Sequence, residues 1–302
     1  DKIPILLKGK NDIKSFLRTT AIKSFRRIVK GEELNRLYKL YFDQLKKNKT
    51  PFEALTVPLL SILLAPDTMY RPENTKGEST ALNSFSIASR LSYFLWRSPP
   101  DTTLLKLAAQ GKIKDKLDSI LKNMLSNPKS KIFYKEFVRQ WLGYYKIQQQ
   151  GGDIARPDKS LFPDYTEELI NDLISEADYH AVNIFHNNLS LLNFVNSKDM
   201  YINKNLAEFY GIAVSQEGFH QLKAPDHKRG GILTTGAILV SSNNAPVETS
   251  PINRGLWILK KLMGKTLPPP PANVPQLSKN DGKSKREILE IHRSSASCKS
   301  CH

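Results

Sequence analysis

Apolar residues recur at helical spacing along most of the 302-residue chain. In residues 14–29 and again in residues 32–47 they fall three or four positions apart, which predicts two amphipathic helices. The same spacing predicts further helices over residues 81–96, 101–109, 113–125, 129–144, 165–186, 203–210 and 285–293. We find no internal repeat and no convincing β alternation, so the pattern predicts a mainly α fold.

Local signals predict where several of these helices begin and end. Thr50 can accept a hydrogen bond from a free backbone N–H, Pro51 suits the first helical position and Glu53 completes a capping box. These residues predict the third helix of a small unit that ends near residues 65–66. Asp101 is expected to cap a later helix. Another helix is expected to begin after Ser250 and to end at a glycine, residue 264.

Changes in composition divide the chain into three predicted parts. Residues 1–70 are expected to form a small helical unit and residues 71–222 a helical domain, which begins with the polar linker 71–79. Residues 223–302 are expected to form a C-terminal region with a turn-rich loop. Within it, the four prolines at 268–271 must be extended, because consecutive prolines fix φ and lack backbone donors.

The charge of the chain does not change the predicted fold, but it limits the kinds of partner that the protein can bind. The chain has a formal net charge of +16, with basic residues in excess in residues 1–50, 81–150 and 221–302 and acidic residues in excess in residues 151–220. Such a balance permits binding to nucleic acid or an anionic membrane. No nucleic-acid recognition motif accompanies it, so we expect no nucleic-acid partner. We expect a solvated basic surface, with contact to an acidic partner as the alternative.

The sequence predicts no transmembrane segment, because no apolar run approaches the roughly 18 residues that a membrane span requires.

The most informative motif is Cys-Lys-Ser-Cys-His at residues 298–302. It fits C-x-x-C-H, the attachment motif of c-type haem. Cys298 and Cys301 can each add to a vinyl group of the porphyrin, and His302 is then held beneath the iron as its proximal ligand. Because a haem module normally continues after its attachment motif, we expect the natural chain to extend beyond His302.

Three other interpretations of the two cysteines stay open. A redox dithiol also uses C-x-x-C, but it usually follows a strand in a βαβ unit, which the helical pattern does not provide. Structural zinc needs four ligands, and no second cysteine pair exists, although His292 could contribute one. The simplest alternative is a pair of free or disulfide-linked thiols.

Several blocks of residues also resemble those of a known family. They include FLR and FRR in the first helix, ASRLSYFLW at 88–96, FVRQWL at 137–142, NLAEFYG at 205–211, RGGILT at 229–234, TSPINRG at 249–255 and PPPPANVP at 268–275. Together with the terminal cysteine motif, these blocks resemble the planctomycete-type family of exported cytochrome c proteins built from domains of unknown function.

The resemblance implies a haem protein exported to the periplasm or the cell exterior, often as one module of a longer polypeptide. We therefore expect a mainly α fold, in which two helical scaffold units precede a C-terminal cytochrome c-like haem-attachment region. The expected cofactor is haem c, attached covalently through Cys298 and Cys301.

The leading functional hypothesis is single-electron transfer with a redox partner protein or within a larger complex, and the basic surface would suit an acidic partner. The first alternative is a haem enzyme of peroxidase or oxygenase type with an open sixth iron position. The second is a structural or docking haem subunit of an assembly. Whether the chain is an enzyme stays open.

Four further residues are candidates for lesser roles. Arg229 and Arg254 could pair with the haem propionates, since a guanidinium matches a carboxylate well. Glu176 and His180 stand four residues apart on one predicted helix, which could bind a metal, but no H-E-x-x-H motif accompanies them. We expect them to be an exposed pair on a solvated acidic helix face. Near Arg229, two glycines are expected to permit a tight turn.

Overall fold

The computed structural model describes residues 10–70, 82–149, 156–214, 216–225, 229–243, 246–247, 249–267 and 282–294. Helix dominates these residues, which confirms the predicted mainly α fold. The chain divides into two compact units, Asp1–Ser250 and Pro251–His302. The predicted linker at residues 71–79 and the polyproline segment at residues 268–271 lie outside the described residues. The three predicted parts of the chain stay a prediction.

The described part of the first unit begins with five α-helices around a small apolar core. They are α1 (Lys10–Phe25), α2 (Gly31–Leu45), α3 (Pro51–Ala54), α4 (Thr56–Leu63) and α5 (Pro66–Met69). Most of the core side chains come from α1, α2 and α4 and include Leu17, Leu34, Leu37 and Ile62. Helix α3 begins as predicted: the Thr50 hydroxyl accepts from the N–H of Glu53 (3.3 Å), and the Glu53 carboxylate accepts from the N–H of Thr50 (2.9 Å).

A buried arginine connects these five helices to the helix that follows them in the chain. Arg26 follows α1 with a φ of +54°, and its side chain is buried. It donates to the carbonyl oxygens of Asp67 and of Tyr70 (2.7 Å for Tyr70). Its guanidinium carbon lies 5.7 Å from the centroid of the Tyr93 ring, in the following helix.

Four helices form the middle of the first unit. They are α6 (Ser84–Trp96), α7 (Thr102–Ala109), α8 (Leu117–Ser126) and α9 (Lys131–Leu142). The indole N–H of Trp96 donates to the carbonyl of Met124 (3.0 Å), which joins α6 to α8 inside their shared core. The Asp101 side chain accepts from the N–H of Leu104 (2.8 Å), so the predicted cap of α7 is confirmed.

The longest described helix, α10 (Glu167–His186), lies at the centre of the remaining elements. These are α11 (Asn193–Asn196), β1 (Asp199–Ile202), α12 (Lys204–Tyr210), β2 (His220–Lys223) and α13 (Gly236–Asn243). Helix α10 packs against α9 on one side and against α12, α13 and β1 on others. Ten of its residues are buried, which is more than the single stripe that a surface helix presents to a core.

One short sheet departs from the sequence expectation. Strands β1 and β2 pair antiparallel, with Met200 opposite Leu222 and Tyr201 opposite Gln221. Each strand has only four residues, too few for period-2 alternation to be distinguished from a helical or irregular pattern. The partners lie about twenty residues apart with α12 between them, so no hairpin turn marks the pairing.

The second unit contains two described helices. Helix α14 (Pro251–Lys261) begins directly after Ser250, as predicted, and Gly264 follows it with a φ of +63°, which suits a glycine that ends a helix. Helix α15 (Lys285–Ser294) matches the helix predicted over residues 285–293.

Among the helices of the described ranges, none combines the length and apolar character required to cross a bilayer.

The cap of α7 provides a test of the middle of the first unit. Replacing Asp101 by Ala leaves the N–H of Leu104 without its side-chain acceptor, so we expect the free energy of unfolding to fall by about 1 kcal/mol. Urea denaturation followed by circular dichroism measures this. Asp115→Ala removes the same charge at an exposed position and is expected to change stability by less than about 0.5 kcal/mol. Equal losses in the two variants would contradict the capping role.

Candidate functional site

The predicted haem motif lies outside the described residues, but the helix that precedes it is described. Helix α15 begins at a capping box: the hydroxyl of Ser284 accepts from the N–H of Glu287 (3.3 Å), and the Glu287 carboxylate accepts from the N–H of Ser284 (2.7 Å). Cys298, Cys301 and His302 come four or more residues after the end of this helix. Their role in haem attachment stays a prediction.

The two arginines that we expected at the haem edge lie in different units. Arg254 is on α14 in the second unit. Arg229 is in the first unit, where its guanidinium carbon lies 3.4 Å from the centroid of the Tyr210 ring and its Nη1 donates to the carbonyl of Thr234 (3.4 Å). Pairing of either arginine with a propionate stays a prediction.

Arg229 is part of a buried polar cluster that we call the Glu176 cluster, made of Glu176, Tyr210, Arg229 and Gly236. Glu176 is only 3% exposed. Its Oε2 accepts hydrogen bonds from the Tyr210 hydroxyl (2.7 Å) and from the N–H of Gly236 (3.0 Å). These donors come from the end of α12 and the start of α13, so one carboxylate joins three helices.

The electrostatics of the Glu176 cluster are set by burial. Burial raises the pKa of Glu176 to about 7, although the hydrogen bonds from Tyr210 and Gly236 and the charge of Arg229 oppose this rise. Burial also raises the pKa of Tyr210, and the neighbouring carboxylate adds to that rise. Near neutral pH, therefore, the proton that this cluster exchanges is the one on Glu176.

The segment that carries Arg229 can pack against the backbone of residues 194–198 only because of its glycines. Gly231 has a φ of +67°, and a Cβ at this position would lie 2.6 Å from the carbonyl oxygen of Val195. The N–H of Gly230 donates to the hydroxyl of Thr234 (2.7 Å), which closes the turn. The expectation that these glycines permit a tight turn is confirmed.

His180 lies one turn along α10 from Glu176 and is 2% exposed. Its Nε2 is 3.1 Å from the carbonyl oxygen of Asn193. A carbonyl oxygen only accepts, so Nε2 bears a proton and donates to it. Burial lowers the pKa of His180, which favours the neutral imidazole. The ring therefore holds α10 to the start of α11 as an uncharged donor.

The expectation that Glu176 and His180 form an exposed pair is wrong. The first part of the predicted acidic face is exposed, as expected, at Glu167 and Glu168. Farther along, α10 is covered by α12, α13 and β1, so the same helix face enters the core. The available signal was the apolar spacing around these residues, where Leu173 and Ala177 precede and follow Glu176 within one turn.

A second buried carboxylate lies on the opposite side of α10. Asp178 is 1% exposed and receives hydrogen bonds from both Nε (2.8 Å) and Nη2 of Arg139, in the bidentate arrangement that suits a guanidinium. The hydroxyl of Tyr144 also donates to it (2.9 Å). The Asp178 hydrogen bond raises the pKa of Arg139. The sequence analysis includes Arg139 in the block FVRQWL at 137–142, but it assigns no role to Asp178 or Tyr144.

The Glu176 cluster opens onto a narrow recess. It is lined by Glu176, His180, Asp199, Met200, Tyr201, Arg229, Gly230, Gly231, Thr234 and Thr235. The recess has essentially no room for a water molecule. Over the described ranges, no group of three or more His, Cys, Asp or Glu side chains is arranged to hold a metal ion. The arrangement can store a proton and join helices, and we infer no substrate pocket from it.

Two regions of the chain match family models. Residues 82–212 match the model named PSD4, described as a protein of unknown function (DUF1592). Residues 229–302 match the model named PSCyt3, also described as a protein of unknown function (DUF1588). The names suggest planctomycete cytochrome c-like domains. No curated protein matches the chain, and no solved structure matches it.

The raised pKa of Glu176 makes stability depend on pH. The unfolded carboxyl ionises near pH 4.5, whereas the folded one stays protonated until about pH 7. The folded state binds the extra proton between these values, so the free energy of unfolding falls as pH rises through them, by about 3 kcal/mol. Glu176→Gln has no such proton, and its stability relative to the original chain is expected to rise over this range. Urea denaturation between pH 4.5 and 8 measures the difference; a constant difference would contradict the assignment.

The Arg139–Asp178 pair offers a second test. Asp178→Ala leaves a guanidinium and a buried Tyr144 hydroxyl without their acceptor, so we expect unfolding free energy to fall by about 3 kcal/mol or more. The matched control is Glu136→Ala, because Glu136 also pairs with Arg139 (3.6 Å) but is partly exposed. That change is expected to cost less than about 1 kcal/mol. Similar losses in both variants, measured by urea denaturation, would contradict the importance of burial.

Proposed function

We propose that this chain is an exported c-type haem protein that passes single electrons to and from a partner. The observation that carries the proposal is the motif Cys298-Lys299-Ser300-Cys301-His302. It falls at the end of the region that matches the PSCyt3 model. A C-x-x-C-H motif in a region with this name supports haem attachment more strongly than either feature does separately.

The donor set fits a c-type haem. Two thiols separated by two residues can form two thioether bonds with one porphyrin, and the adjacent imidazole nitrogen can ligate its iron. Cys298 and Cys301 would anchor the group, and His302 would be the proximal ligand. When bound, haem supplies a one-electron iron couple. The contribution of the protein is to fix the group in position, to set its surroundings and to present a surface to the redox partner.

The charge of the chain supports an acidic redox partner. The net charge is +16, and in the middle of the first unit the lysines of α8, α9 and the turn between them include the exposed Lys122, Lys129 and Lys131. Exposed charges of one sign raise the rate of encounter with a partner of opposite sign. Such steering suits transient electron transfer, in which the two proteins meet and separate repeatedly.

The proposed location is the periplasm or the cell exterior. Covalent haem attachment takes place outside the bacterial cytoplasm, so a chain that bears this group has to be exported. The resemblance to exported proteins points the same way.

Export of the chain with the haem-attachment machinery provides the test. We expect a covalently bound haem, seen as a pyridine haemochrome spectrum and as a haem-stained band that survives denaturation. Changing both Cys298 and Cys301 to Ser should abolish the band, whereas His292→Ala should retain it, because His292 precedes the motif by six residues.

The same material distinguishes the alternatives. A six-coordinate, low-spin spectrum supports electron transfer. A five-coordinate, high-spin iron that reacts with peroxide would overturn electron transfer and support the enzyme hypothesis. Absence of covalent haem from the original chain would overturn the proposal. Stoichiometric zinc in its place would assign the cysteines to a metal site instead.

A further inference from the structure

The short helices α3 and α4 expose a row of large apolar side chains. Phe52, Leu60, Leu63 and Leu64 are 61%, 49%, 53% and 68% exposed, respectively. We call these four residues the α4 strip. Residue 55, between α3 and α4, has helical dihedrals (φ −71°, ψ −22°), so the two helices continue one another with little change of direction. The strip therefore follows one side of an almost continuous helix.

The opposite side of the same helix is also apolar. Leu55, Pro58 and Ile62 are buried, and α4 packs on α1 and α2. Leu60 and Leu64 are each two positions from Ile62, which places them on the far side of the helix from that core. A helix that is apolar on both sides normally has both sides covered in its working state.

Two of the polar side chains near the strip, Ser61 and Glu53, have partners within the chain. The Ser61 hydroxyl donates to the carbonyl of Val57, one turn back (2.9 Å). The Glu53 carboxylate accepts from the N–H and the hydroxyl of Thr50. A protein partner usually meets an apolar patch with hydrogen bonds around its rim. Lipid acyl chains require no such bonds, and the strip therefore suits the apolar part of a lipid layer.

Basic residues precede the strip. Lys46, Lys47 and Lys49 form the loop between α2 and α3, and all three are exposed. Lys46 has Asp43 at 3.8 Å, but both side chains are well exposed, so the pair is weak. Phe52, the first residue of the strip, follows only three positions after Lys49. Apolar side chains next to lysines are the combination that binds a membrane surface rich in anionic lipids.

We propose that the α4 strip and these three lysines form a docking surface for an anionic lipid membrane. Phe52 and the leucines enter the apolar boundary of the lipid layer, and the lysines contact the phosphate groups. Helix α4 has eight residues, or about 12 Å of length, so it lies along the membrane surface and does not cross it. This proposal is independent of haem attachment.

Vesicle co-sedimentation of the purified full chain tests the proposal. We expect binding to vesicles of phosphatidylglycerol and phosphatidylcholine, little binding to phosphatidylcholine alone, and weaker binding as salt is added. The triple variant Leu60→Gln, Leu63→Gln, Leu64→Gln should bind at least about tenfold more weakly, because it removes most of the apolar contact. Each Lys→Gln change in the loop should weaken binding by about fivefold.

Two controls distinguish binding through the α4 strip from non-specific hydrophobic binding and from misfolding. The first control is the triple variant Leu161→Gln, Leu191→Gln, Leu192→Gln, which changes three leucines at least as exposed as those of the α4 strip. This variant should bind vesicles as tightly as the original chain does. Circular dichroism should show unchanged helix content in each variant. The lysine variants lie in a loop outside the core, so they test the site even if the leucine variant does not fold.

Three results would overturn the proposal. The original chain could fail to bind anionic vesicles, or the two leucine triple variants could lose binding equally. Alternatively, the original chain could be a dimer that does not bind vesicles. Sedimentation velocity would then show that the triple variant Leu60→Gln, Leu63→Gln, Leu64→Gln is a monomer. That result would assign the strip to a second copy of the chain.

Discussion

The larger unit depends on the burial of three ionisable side chains along one helix. Helix α10 is surrounded by other elements, and Glu176, Asp178 and His180 all lie inside. A buried polar group without a partner costs several kcal/mol, so each of these three must meet a donor or acceptor. The hydrogen-bonding partners of the three side chains come from different helices and loops. Because each buried side chain has to reach its partner, these hydrogen bonds restrict where those helices and loops can lie.

The three groups solve this problem in different ways. Asp178 meets a guanidinium and a phenol, so its charge is matched by an opposite charge. His180 is held neutral and donates to a carbonyl. Glu176 has two neutral donors and Arg229 nearby, and its pKa rises to about 7. One helix thus holds a paired charge, a neutral donor and a carboxyl that titrates near neutrality, because the surroundings of each residue differ.

The two proposals concern different parts of the chain. The haem proposal depends on five residues at the end of the sequence and on the family name attached to their region. The membrane proposal depends on side-chain exposure in α3 and α4 of the first unit. A chain that both docks on a membrane and bears a haem would hold its redox centre close to membrane-bound partners, which raises the rate of encounter through effective concentration.

The sequence by itself determined most of the longer helices and several of their ends, but not α13 or the short helices α5 and α11. Caps at Thr50 and Asp101 and the glycine after α14 were predictable, because each depends on contacts within a few residues. The C-x-x-C-H pattern can be recognised for the same reason, since it is defined only by the spacing of two cysteines and a histidine.

Only the tertiary structure decided which polar residues are buried. Helical periodicity gives the direction of a side chain from its own helix, but it does not show how many elements surround that helix. Glu176 was therefore expected on a solvated face, although α12 and α13 cover it. The pairing of β1 with β2 was missed because it joins short segments across an intervening helix. The exposure of the α4 strip likewise depends on packing, because α1 and α2 cover only one side of an apolar helix.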